Sequence, residues 1–154
     1  MVKNRFAAKI DPLVIAAVTS FKRTFTKPQI VDKVLNDPAV ANILLKAYRA
    51  DPFWDINLIV KQGVALRVDR ELRRRKKSKM LGVSMRIYEN YALGAKGPRR
   101  WQRLDVMTIS ELQICFQWRV DNVQANAKVA DNYKRLIDIM VEGQYETVGD
   151  ALSA

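Results

Sequence analysis

Three Asp-Pro dipeptides, Asp11-Pro12, Asp37-Pro38 and Asp51-Pro52, limit what this chain can fold into more than any other feature, because each stands directly before an amphipathic run. An Asp side chain accepts bonds from the free amides of a first helical turn, and proline at the first helical position lacks only a donor that would be orphaned there anyway. Each dipeptide therefore reads as a helix start. Thr26, followed by Pro28 and by Gln29 in capping-box spacing, supplies a fourth. These signals predict helices near Pro12–Thr24, Pro28–Leu35, Pro38–Arg49 and from Pro52 to about Lys79. In the third of them Val40, Ile43, Leu44, Ala47 and Tyr48 keep the three-four spacing of a buried face, which leaves Asn42, Lys46 and Arg49 on the opposite side.

From Val83 the period shortens. Val83–Leu93 and Arg99–Val106 read as two extended runs joined by a turn at Gly94–Gly97 and Pro98, with Tyr88, Tyr91 and Trp101 suited to a pleated surface. Thr108 with Glu111 forms a second capping box. It opens a periodic segment reaching about Glu142 before Gly143, with Ile109, Leu112, Phe116, Val123, Ala130, Tyr133, Ile137 and Met140 on or near one stripe. So long a stripe can pack on the Pro52 helix or on a second copy, making a homodimer through 109–140 an expected partner. Thr147 caps a last turn through Leu152. The expected class is mainly α: a single unit with a helix-turn-helix-like head over 1–66, a basic helix end and β-hairpin or wing over 67–106, and a long helix with a short C-terminal one over 107–154.

Charge is distributed unevenly along this outline. Residues 1–66 carry 10 basic and 5 acidic side chains, residues 67–103 carry 13 and 3, and residues 104–154 carry 4 and 8. The run Arg67, Arg70, Arg73, Arg74, Arg75, Lys76, Lys77, Lys79 exceeds what one helix terminus calls for, and its mutual repulsion is best relieved by an anionic partner. Arg86, Lys96, Arg99, Arg100 and Arg103 add to it. Lys96 and Arg99 would flank the hairpin tip, as in the wing of a winged-helix protein. Interleaved Tyr88, Tyr91 and Trp101 would either stack on bases or cover the core. The second and third helices with the Asn36-Asp37 turn resemble a helix-turn-helix whose reading face is Asn42, Lys46 and Arg49.

Other classes are disfavoured. The chain has no histidine and one cysteine, Cys115, so the usual zinc ligand sets cannot be assembled and no internal disulfide is possible; Cys115 reads as a small core residue. No phosphate loop, dinucleotide fingerprint or EF-hand occurs, and Asp105, Glu111, Asp131 and Asp138 lack a metal-site motif, so neither an enzyme nor a cofactor is expected. No apolar stretch approaches the roughly 18–20 residues of a membrane span, which gives a cytoplasmic expectation without a membrane partner.

The pattern Trp101, Leu104, Met107-Thr108, Glu111-Leu112, a long helix, then Thr147-Val148-Gly149-Asp150-Ala151-Leu152 resembles small helical proteins of actinobacterial phages and related mobile elements. The resemblance covers about residues 101–152. It implies a phage-infected bacterial cytoplasm or nucleoid as the setting and carries no functional residue; the dense run Arg67–Lys79 departs from that pattern. Together these readings lead to a DNA-binding regulator of winged-helix or helix-turn-helix kind, DNA being favoured over RNA. A phage-encoded protein that docks on and modulates an acidic host protein fits the same charge.

Overall fold

The computed structural model of the chain describes residues 2–50, 56–92, 99–123 and 126–154. The described residues gather into two compact units, Met1–Phe21 with Phe25–Arg73, and Lys22–Thr24 with Arg74–Ala154. The chain is mainly helical, with two small antiparallel sheets of two strands each.

The first unit packs four helices, α1 (Val2–Thr19), α2 (Lys27–Leu35), α3 (Pro38–Ala50) and α4 (Ile56–Leu72). Residues one helical turn apart supply its core: Ile10, Val14, Ala17 and Val18 from α1, Ile30 and Val34 from α2, Val64, Val68 and Leu72 from α4, with Val40 and Phe25. The capping box at α2 is formed: Thr26 Oγ1 accepts from the Gln29 amide at 3.4 Å, and the Thr26 amide donates to Gln29 Oε1 at 2.8 Å. Asp37 Oδ1 likewise accepts from the Ala39 amide at 2.9 Å, so Asp37-Pro38 starts α3 as expected.

Asp11-Pro12 does not start a helix. Pro12 lies inside α1, which begins ten residues earlier, and Asp11 pairs with Arg67 at 3.2 Å. A carboxylate with a cation from a neighbouring helix is satisfied without serving as a cap. Asp51-Pro52 lies outside the described residues. The fourth helix stops at Leu72, its last buried residue, and not at Lys79.

The second unit begins with a ribbon of β1 (Arg75–Lys77) and β2 (Ser84–Arg86), paired Arg75 to Arg86, Lys76 to Met85 and Lys77 to Ser84. Its turn needs Gly82, whose φ of +69° lies in the left-handed region. The Gly82 amide donates to the Ser78 carbonyl at 2.9 Å, and the Ser78 amide to the Val83 carbonyl at 2.8 Å. Strands β3 (Tyr88–Tyr91) and β4 (Arg100–Arg103) form the second sheet, from Tyr88 opposite Arg103 to Tyr91 opposite Arg100. This is the hairpin expected near 83–106; its turn at Gly94–Gly97 and Pro98 lies outside the described residues.

A 3-10 turn over Leu104–Val106 leads into α5 (Ile109–Asn122), α6 (Ala127–Gly143) and α7 (Val148–Ser153). The Thr108–Glu111 capping box is present, and Thr147 Oγ1 accepts from the Asp150 amide at 3.2 Å. The continuous helix expected over 109–142 is two helices. The first ends at a Val123 cap, and Asn126 Oδ1 accepts from the Val129 amide at 2.9 Å to start the second. The break lets Leu112 and Cys115 of α5 meet Tyr133, Leu136 and Met140 of α6 around Tyr91, Leu104, Met107, Val148 and Ala151. Much of the stripe assigned to a homodimer is thereby used within one chain. Gly149 lets α7 approach the 3-10 turn: a Cβ there would sit 2.7 Å from the Asp105 carbonyl oxygen. No helix among the described residues is long and apolar enough to cross a membrane.

Candidate nucleic-acid interface

The basic run is divided between two structural contexts. Arg67, Arg70 and Arg73 belong to the first unit. Arg67 is ion-paired with Asp11, Arg70 sits exposed in the last turn of α4, and Arg73 follows the helix, its amide donating to Asp69 at 3.1 Å. Arg74, Arg75, Lys76, Lys77 and Lys79 belong to the second unit and are all exposed. The expected basic helix end is thus a helix terminus followed by a strand.

A strand presents these charges differently from a helix. Side chains alternate across a ribbon, so Arg75 and Lys77 share a face with their cross-strand partners Arg86 and Ser84, while Lys76 pairs with Met85 on the other. Arg75 stands directly opposite Arg86, an arrangement that costs a strand pair up to about 1 kcal/mol. Neutral acceptors offset part of this: Arg75 Nε donates to Ser84 Oγ at 3.1 Å, and a second guanidinium nitrogen to the Ser84 carbonyl at 2.7 Å. Among the described residues, Lys76, Lys77, Lys79 and Arg86 have no carboxylate partner.

The remaining cations are less uniform. Arg99 and Arg100 are exposed at the start of β4, with the Arg99 guanidinium 5.4 Å from the Trp118 ring centre. Arg103 is neutralised by Asp105 at 2.6 Å, and hydrogen bonding to that carboxylate raises the arginine's pKa. Asn42 and Lys46 are exposed on α3; the Arg49 side chain and all of Lys96 lie outside the described residues.

The aromatic part of the expected interface is corrected by burial. Tyr88, Tyr91 and Trp101 are 2%, 1% and 6% exposed, so their rings belong to the core and cannot stack on bases. Tyr91 donates to Gln102 Oε1 at 2.9 Å, and burial pushes its hydroxyl pKa up to about 12. Tyr91 shares a sheet face with Glu89 and joins the core formed with Leu112 and Cys115 of α5, while Tyr88 and Trp101 lie on the opposite face and are buried as well, so the three rings do not form one platform.

One group of polar residues had no signal in the sequence. Glu89 of β3 and Arg119 of α5, thirty positions apart, form a buried ion pair, with Arg119 Nε and a terminal nitrogen donating to Glu89 Oε2 at 3.1 and 2.8 Å. Asn90 Oδ1 accepts from the same guanidinium at 2.9 Å. Burial alone would lower the Arg119 pKa, and the Glu89 carboxylate together with Tyr133 and Cys115 more than offsets it, so the net shift is upward. Alternate positions on a helix face and on a strand cannot be matched in register before the two elements are docked.

Beside this pair lies a cavity of about 290 Å³ bordered by Arg75, Arg86 and Arg119 together with Asn126, Asn132 and Tyr133. Met85, Leu104, Val123, Val129 and Leu136 give it apolar walls. No group of three or more metal-ligating side chains exists among the described residues; Asp105 is held by Arg103, and Glu111 caps α5. No family model matches this chain, nor does any curated protein or solved structure.

Proposed function

We propose that the chain binds nucleic acid, duplex DNA before RNA, through the ribbon β1–β2 and the cations around it. The observation that carries this reading is the exposure of Lys76, Lys77 and Lys79 without a carboxylate partner among the described residues, on a ribbon whose register already opposes Arg75 to Arg86. Phosphates would relieve that repulsion, and released counterions would drive association. Burial of Tyr88, Tyr91 and Trp101 supports duplex over single strand, because unpaired bases are commonly held on exposed rings.

In this reading Arg73, Arg74, Arg99 and Arg100 extend the phosphate contacts. Independently of the ribbon, helices α2 and α3 of the first unit, joined at Asn36-Asp37, would offer Asn42 and Lys46 for base edges in the manner of a helix-turn-helix, which is in keeping with a regulator. The phage setting rests on the resemblance over residues 101–152, and a cytoplasmic or nucleoid location follows from a DNA partner.

The test is a binding titration on duplex DNA, single-stranded DNA and RNA across salt concentrations. Replacing Arg73, Arg74, Arg75, Lys76 and Lys77 with Gln weakens binding to all duplex sequences and flattens the salt dependence, by a slope of about 0.9 per lost phosphate contact. Affinity unchanged by all five substitutions overturns the proposal. Retention of a host protein from nuclease-treated lysate, with no affinity for any nucleic acid, would transfer the same surface to an acidic protein partner.

A further inference from the structure

We infer that the cavity beside the Glu89–Arg119 pair is a binding site for a nucleotide-sized phosphate monoester, whose phosphate sits between Arg75 and Arg86. This goes beyond duplex binding and does not depend on it. A backbone phosphate in a duplex carries a single negative charge, whereas the cavity is built for more.

Charge selects a dianion. Three arginines and one carboxylate border the space. Glu89 neutralises Arg119 at 2.8 Å, which leaves Arg75 and Arg86 without a carboxylate among the described residues although both line the same cavity. Two guanidinium groups from directly opposed strand positions match a dianion. A phosphate monoester, carrying about −1.5 to −2 at neutral pH, supplies that; a carboxylate or an internal phosphodiester supplies half.

Shape and polarity narrow the ligand further. At about 290 Å³ the cavity is near the bottom of the range of about 300–1,000 Å³ seen for small-ligand clefts, enough for one small organic body and too little for a length of strand. Met85, Leu104 and Leu136 provide an apolar surface for a flat body. Asn132 is half-buried and lines the space, and its side chain makes no hydrogen bond among the described residues, so its carboxamide offers both a donor and an acceptor. An apolar slot, an unengaged amide and a pair of guanidinium groups together describe a nucleotide with a terminal phosphate, either free or at the 5′ end of a strand.

The experiment is isothermal titration of the full chain with adenosine 5′-monophosphate, adenosine and inorganic phosphate, alongside duplexes that carry a 5′-phosphate or a 5′-hydroxyl. The monophosphate is expected to bind about tenfold or more tightly than adenosine, in line with charge-assisted bonds to phosphate. Arg86→Gln should remove most of that advantage. Asn132→Leu, which keeps every charge, should weaken the monophosphate but not inorganic phosphate. Arg135→Gln, on an exposed position outside the cavity, should change affinity by less than about twofold. Circular dichroism on each variant separates lost binding from lost fold.

A gain from the 5′-phosphate on the duplex identifies a strand end as the source, and monophosphate binding without that gain identifies a free nucleotide; either supports the site. Equal affinity for adenosine and its monophosphate, together with no gain from the 5′-phosphate, overturns it. Monophosphate binding that persists in a chain with no duplex affinity would reject only the duplex proposal.

Discussion

The residues that respond most to their surroundings are buried around one thiol. Cys115 lies 3.9 Å from both Glu89 Oε2 and the Tyr133 hydroxyl, and burial pushes its pKa up to about 12. An unfolded thiol releases its proton near 8.5. The folded chain therefore holds a proton that the unfolded chain gives up: the stabilising contribution is complete below about pH 8 and drains away as pH rises towards the folded value. Urea unfolding at pH 10 should show about 2 kcal/mol less stability than at pH 7 from this residue alone, and Cys115→Val should remove that part of the alkaline loss. A pH response identical in the variant would show that the thiol is not the group responsible. Burial also raises the pKa of the Tyr133 hydroxyl, so this residue adds to the loss only at still higher pH. The Glu89–Arg119 pair beside them is of the kind where losing one partner costs about 3–5 kcal/mol, because the other charge stays buried.

Among the elements, the ribbon β1–β2 is the one on which both proposals converge, and its geometry depends on Gly82. A residue with a Cβ at φ +69° is strained by about 1–2 kcal/mol. Gly82→Val should thus loosen the ribbon and weaken polyanion binding while leaving every charge in place; filter binding at fixed salt measures this, and full affinity in that variant would show that strand geometry is irrelevant. The ribbon was also the least legible element in the sequence. Arg, Lys and Glu are good helix formers, so nothing local in Arg67–Lys79 marks the end of α4 at Leu72. What ends it is non-local: pairing of Arg75–Lys77 with Ser84–Arg86 across a turn that needs a left-handed glycine. The capping boxes at Thr26 and Thr108 were legible because both partners lie within one turn. The break in the expected 109–142 helix had a visible signal, the N-cap residue Asn126 three positions before Val129, but the apolar stripe continues through it and hid the change of direction. The cavity could not be read at all, since its borders come from positions between 75 and 136.

At the level of the whole molecule, exposed arginines and lysines on consecutive positions 73–77 are also consecutive sites for trypsin. Saturating duplex should slow cleavage there relative to cleavage at Lys134 and Arg135 on α6, and equal slowing at both places would indicate a general effect of the added polymer. The direct opposition of Arg75 and Arg86 has a thermal consequence as well. A ribbon whose two halves push each other apart relaxes when a multivalent counterion sits between them, so the gain in melting temperature from sulfate over chloride at matched ionic strength, which exclusion from the surface gives any protein, should be smaller in Arg86→Gln. The folded chain would then meet its partner as a tensioned clip, most ordered when occupied, and heat resistance itself would report how well the grip is filled.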